Sequence, residues 1–161
     1  MSENDPREAA AEFLRQAYEQ QMAGEFQQAI ELYTRSIEAF PTAEAYTFRG
    51  WTYSFLADYD HAIAECLEAI RVDADFGNPY NDIGAYLIEQ GKWDEAIPWF
   101  EKAMQAKRYE ASGYPHFNLG RVYEHKHDWR RAQQCYAAAF AADHRYLAAL
   151  VGMRRLRAMF N

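Results

Sequence analysis

His125-Lys126-His127, flanked by Glu124 and Asp128, is the stretch of this sequence that looks most like a metal site. A structural zinc ion takes four ligands, and a catalytic one takes three plus water. Two histidines in one short turn reach that count only if both carboxylates join them, so the stretch reads as a solvated turn and no metal is expected. Cys66 and Cys135 lie far apart with no CxxC pairing, which favours two buried, reduced thiols over zinc or redox work. Asp58 and Asp60 are close together, but they precede a helical pattern, where a carboxylate accepts from free backbone amides. No glycine-rich phosphate loop, HExxH or GxSxG occurs. The expectation is a chain without catalytic residues and without a cofactor.

Charge narrows the partners. The net charge is −7, and it is unevenly spread: residues 1–76 hold 5 basic and 15 acidic side chains (−10), residues 77–161 hold 12 and 9 (+3). Arg154, Arg155 and Arg157 form one short basic cluster. Nucleic-acid sites show a broad basic footprint, so no nucleic acid is expected. No apolar run approaches the roughly 18 residues that span a bilayer, and Met1–Pro6 lacks the basic and apolar regions of a secretory signal. With half of the residues apolar and 16% aromatic, the chain reads as folded and cytoplasmic.

The elements that position these residues repeat. Tyr80-Asn-Asp-Ile83-Gly84-Ala-Tyr-Leu87, then Gln90-Gly91-Lys-Trp93, then Ala96-Ile97-Pro98-Trp-Phe100 reads as two amphipathic helices split by a turn, with Gly84 and Ala96 where they approach. Small residues opening each second helix recur at Ala29, Ala62, Ala96 and Ala132, in steps of 33, 34 and 36. Equivalent sets are Tyr46, Arg49, Gly50, Tyr53, Ala62 and Cys66; His116, Leu119, Gly120, Tyr123, Ala132 and Tyr136; and a weaker Phe13, Ala17, Ala29, Tyr33 and Pro41.

These positions follow W-x2-L-G-x2-Y, A-x3-F and a late proline, and over residues 10 to 144 the chain resembles the tetratricopeptide repeat (TPR) family. The resemblance implies an all-α, right-handed α-solenoid: one domain over 1–161, with hairpins at about 10–42, 43–76, 77–108 and 113–144 and a capping helix over 145–160. The capping helix is expected to turn Tyr146, Ala149, Leu150, Met153 and Phe160 inward and its arginines to water. The first helix should run from Glu3 to Gln21. Pro98 should delay or bend its helix, and the linker Lys107–Pro115, two residues over the period, should loosen or rotate the fourth hairpin.

In this family the remaining first-helix positions line a concave groove. Carried over, they are Leu14, Arg15, Tyr18, Gln21 and Met22; Glu44, Thr47, Phe48, Trp51 and Phe55; Asn78, Asn81, Asp82, Ala85, Ile88 and Glu89; and Tyr114, Phe117, Asn118, Arg121 and His125. Phe48, Trp51 and Phe55, at i, i+3 and i+7, form an aromatic ledge. Asn78, Asn81 and Asn118 can bond a peptide backbone, and Arg121 can fork onto a carboxylate. The two-carboxylate clamp by which some family members hold chaperone tails is not rebuilt: its positions hold Leu14, Tyr18, Phe48, Asn78 and Asp82. The expected function is a non-catalytic adaptor holding a peptide or helix of a protein partner. The alternatives are a self-assembling scaffold, hence a homo-oligomer, and a small acidic secretion-type chaperone.

Overall fold

The structure, a computed structural model, describes residues 5–160; the expected helix start at Glu3 and most of the Met1–Pro6 stretch lie outside them. Among the described residues the chain forms nine helices: α1 (Pro6–Met22), α2 (Phe26–Ala39), α3 (Ala43–Phe55), α4 (Tyr59–Val72), α5 (Asn78–Glu89), α6 (Trp93–Gln105), α7 (Gly113–His125), α8 (Trp129–Ala142) and α9 (Leu147–Met159). The sole ladder-type pairing there is one parallel bridge, Phe76 to Arg108. No helix among them is long and apolar enough to cross a membrane.

Each hairpin starts and turns by local chemistry. Asp5, Thr42, Asp58 and Asp128 cap α1, α3, α4 and α8 by accepting from Arg7, Ala45, His61 and Arg131 amides. Asp60 instead accepts from Gln90 Nε2 at 2.7 Å, tying two neighbouring turns. The four hairpin turns share one geometry: a residue of positive φ (Gly24, Ala57, Gly91, His127), followed by an amide that reaches back to Gln20, Tyr53, Leu87 or Tyr123. That is the Schellman closure of a helix C-terminus, and His127 does occupy the place of the turn glycine.

Packing follows the repeat. Ala29, Ala62, Ala96 and Ala132 are all fully buried, which lets the two helices of each hairpin close. A Cβ on Gly84 would stand 2.5 Å from the Phe100 ring, and one on Gly120 2.5 Å from Tyr136. Any side chain there would push the hairpin apart. The largest apolar cluster runs from Ala62 and Cys66 through Ile83, Leu87 and Phe100 to Leu119 and Val122, with smaller ones around Tyr33 and around Tyr136 and Leu156.

Four expectations need correction. The helix of Pro98 begins at Trp93, in step with its counterparts. Pro98 is exposed, so the carbonyl of Asp94 that loses its donor can be served by water. The start of the linker is held, by ties that run to the second and third hairpins and not to the fourth. Arg108 donates to Glu44 and Asp73, each at 2.7 Å, its amide donates to Asp75 O, and the Gly77 amide donates to Arg108 O. The guanidinium also lies 4.3 Å from the Phe76 ring centroid. The capping helix starts at Leu147 and buries Ala149, Gly152 and Leu156, while Phe160 is exposed near Trp129. Finally, Arg155 does not simply face water but holds Glu124 at 2.8 Å. Cys66 is buried and Cys135 half-buried, both free; burial pushes the Cys66 thiol well up and the Cys135 thiol to about 11.

Candidate functional site

Helices α1, α3, α5 and α7 touch one another in sequence, whereas α2, α4, α6 and α8 make no comparable direct contacts. The first helices therefore form the tighter, inner layer of the stack, and their free faces line its concave side.

At the N-terminal end this face is aromatic. Tyr18 is exposed and Phe48 half-buried, with ring centroids 6.0 Å apart. Phe48 also lies 6.3 Å from Tyr33 and packs on the cluster of Ala17, Ala29 and Tyr33. It is part of the packing between the first two hairpins, which the sequence reading did not assign to it. Trp51 is half-buried against Phe55 (5.3 Å). Phe55 is half exposed and stacked on Phe26 at 5.2 Å and 8°. Five residues expected in the groove are instead buried: Asn81 and Ile88 on α5, Asn118 on α7 and, at this end, Gln21 and Thr47. Gln21 accepts from Tyr33 Oη at 2.7 Å and Thr52 Oγ1 at 3.0 Å, and Thr47 donates to the Ala43 carbonyl.

At the C-terminal end the face is polar. Asn78 is half-buried in the first turn of α5. Arg121 donates to Asn118 Oδ1 (3.3 Å), Asn118 Nδ2 to Asn81 Oδ1 (3.1 Å), and Asn81 Nδ2 to Asp82 Oδ1 (3.5 Å). The direction is fixed, because a guanidinium only donates and a carboxylate only accepts, so flipping either amide would oppose like groups. Burial pushes the Asp82 carboxyl up to about 7, against a smaller downward pull from Asn81. Beyond this rail, Tyr114 is exposed with its edge toward Tyr146, while Phe117 is half-buried between Tyr136 and Tyr146. Gly113, Tyr114, Ala142, Asp143 and Tyr146 line a pocket of about 370 Å³.

Sequence reasoning missed Tyr109. It packs on Gly77 at the head of α5, and burial, together with the Asp82 carboxylate, Tyr114 and Tyr146, raises its phenol above the usual range. The signal was available: an aromatic inside a polar linker two residues too long. His125 stacks on Trp93 at 4.0 Å and 11°, and His127 lies 5.2 Å from Trp129. Among the described residues no three His, Cys, Asp or Glu converge as for a metal ion.

Three family models, each described as tetratricopeptide repeat, match residues 4–39, 43–76 and 75–145. The chain belongs to the tetratricopeptide repeat family. Its TPR hairpins are similar to part of the small glutamine-rich tetratricopeptide repeat-containing protein 2 of Saccharomyces cerevisiae, 33% identical over 98 residues, covering 60% of this chain and 28% of that protein. Heat shock protein STI1 of the same organism is 29% identical over 85 residues, 52% of this chain and 14% of that protein. The chain thus spans about a quarter or less of these curated relatives' lengths. Among solved structures, Pseudomonas aeruginosa PilF superimposes with a TM-score of 0.86 at 20% identity, over 94% of this chain and 68% of that one. YrrB, described as a TPR protein with an unusual peptide-binding site, gives 0.69 at 20% identity, over 98% and 79%. At that identity the likeness shows the TPR fold.

Proposed function

We propose that this TPR chain is a non-catalytic, cytoplasmic adaptor that holds a segment of a protein partner in its concave groove. The observation that carries the reading is the Trp51–Phe55 pair on α3, rings 5.3 Å apart, with Phe55 50% exposed even though it stacks on Phe26 of the first hairpin. The close approach of α3 to α4 is made by Gly50 against Ala62 and Cys66 of α4. Aromatic anchors of this kind carry about 2 kcal/mol or more each when a partner covers them. The similarity to heat shock protein STI1, and a structural neighbour described by its peptide-binding site, support the reading. Two free thiols agree with a reducing compartment. The test is affinity capture with the wild-type chain and with Trp51→Ala/Phe55→Ala, after thermal melts show both folded. Loss of the same protein from the double variant supports the groove; identical captures remove it.

The outer face of α9 favours a second reading, self-association. Leu147 and Val151, one turn apart, are 65% and 63% exposed, beside unpaired Arg154. The acidic first hairpin offers such a face the opposite charge on a second copy. Light scattering should then show species above the monomer mass that Val151→Glu disperses; a monomer at every concentration removes the reading.

A further inference from the structure

One carboxyl expected in the groove, half-buried on α5, is left uncompensated by the fold. Of the other charges expected there, Glu44 is held by Arg108 and Arg15 by Glu12 and Glu19, Arg121 donates to the neutral Asn118 amide oxygen, and Glu89 is exposed to water. Asp82 has one long contact, from Asn81 at 3.5 Å, and among the described residues no lysine, arginine or histidine pairs with it. The groups around it are a thiol and phenols: Cys66 on α4, Tyr86 on α5 and Tyr109 in the linker, each feeling its charge. Burial holds all three in the neutral form, so none supplies a counter-charge. Among the described residues the Tyr86 hydroxyl, one turn along the same helix, is buried with no well-formed hydrogen bond.

An acid in such a place is costly to ionise. What it lacks is a cation, and the residue is half-buried on the face of α5 that the groove reading assigns to it. The amide rail ending on it supplies dipoles but no net charge. Asn81 and Asn118, both 8% exposed, each keep one amide hydrogen beyond those used in the rail. Asp82 lies at the seam of the charge division, between residues 1–76 at −10 and residues 77–161 at +3, so a cation meets the favourable field on the α3 side of it.

We propose that the groove takes an extended basic peptide segment whose lysine or arginine ion-pairs with Asp82 while the spare amide hydrogens of Asn81 and Asn118 hold its backbone. This rests on the groove reading above and names the chemistry of the occupant. Trp51 and Phe55, on α3 next to α5, then hold an apolar residue of the same segment. Binding a cation beside Asp82 expels its proton, so the complex tightens as pH rises through neutrality.

The experiment uses a phage-displayed library of random linear nonapeptides, selected on the full chain, with Asp82→Asn and Trp51→Ala/Phe55→Ala as counter-targets. Synthetic copies of the selected peptides are then measured by fluorescence anisotropy. Selected peptides should carry lysine or arginine, and Asp82→Asn should weaken them about tenfold or more. Replacing the basic residue by glutamine should cost as much in the wild type and almost nothing further in Asp82→Asn. Peptides that need Trp51 and Phe55 but lack a basic residue, or ignore Asp82, overturn the basic-ligand inference and leave the groove reading standing. If no selected peptide depends on Trp51 and Phe55, both readings fall. Asp82→Asn is near-isosteric and removes a buried charge, so loss of folding is not its expected effect.

Discussion

Arg49 stands where the repeat pattern calls for leucine, and the structure shows how the substitution is tolerated. Its guanidinium forks onto Glu65 at 2.8 and 3.0 Å and donates to Thr34 Oγ1 at 2.9 Å, tying α3 to α4 and α2. Both side chains are mostly buried, at 16% and 12% exposure. Removing one partner strands the other charge, so Arg49→Ala should cost about 2–4 kcal/mol in urea unfolding. Arg49→Leu with Glu65→Leu should cost far less, because two apolar groups of similar size leave nothing unpaired. An equal loss in both variants would mean that packing, not the ion pair, matters here. Asp82 gives the opposite sign. Its folded carboxyl titrates near 7 against an ordinary 3.8, so between those values the folded chain binds more protons than the unfolded one. Its contribution therefore favours folding below about pH 4 and is lost as pH rises towards 7. Asp82→Asn should raise stability at pH 8 by on the order of 2–4 kcal/mol, with the gap closing near pH 4. The neighbouring Cys66, Tyr86 and Tyr109 stay neutral across that window, since burial raises all three. A gap independent of pH would remove Asp82 as its source. At this scale the sequence was a partial guide. Spacing placed Asn81, Asp82, Asn118 and Arg121 on one face but could not show that they bond each other. It also put Gln21 in the groove, because a polar residue at helical spacing carries no sign that a buried tyrosine hydroxyl, Tyr33, needs it.

Among elements, the hairpin turns were the most legible and the linker the least. Gly24 and Gly91 announce a left-handed turn residue by type, whereas Ala57 and His127 take the same conformation at φ 57° and 59° without a composition signal. A Cβ in that region costs roughly 1 kcal/mol. Ala57→Gly should therefore stabilise the second hairpin, less the extra chain entropy of glycine, for a net gain of about 0.5 kcal/mol. Circular-dichroism melts of wild type and variant check this, and a lower melting temperature would show that turn strain is not what limits the hairpin. Position in the period made the element boundaries readable, since a register of 33 to 36 residues leaves little freedom in where a helix starts. The linker has no counterpart in the period. Its anchoring depends on Glu44, 64 residues away from Arg108, and no local pattern carries such a contact.

The whole molecule is a stack in which each hairpin leans on its neighbours, so stability is a sum of local terms and need not be uniform. The widest apolar cluster spans α4 to α7, from Ala62 to Val122. The first hairpin adds a smaller one around Tyr33, and α9 closes the other end with Leu156, Gly152 and Ala149 alone buried. Arg108 adds a long-range tie in the middle, joining the head of α3, the end of α4 and the linker before α7. Amide hydrogen exchange should accordingly be slowest in α5 and α6, faster in α1 and fastest in α9, whose outer face carries exposed Leu147, Val151 and Met159. Arg108→Ala should speed exchange at the head of α3 and the end of α4 more than in α8 and α9, because the lost tie joins the second hairpin to the linker. Uniform exchange across the helices would mean that the stack unfolds as one unit. In that case the groove, built from four different first helices, would be rigid throughout. A gradient instead makes α5, which carries Asn81 and Asp82, the stiffest part of the groove and gives the Tyr18 end on α1 more freedom to close around an occupant.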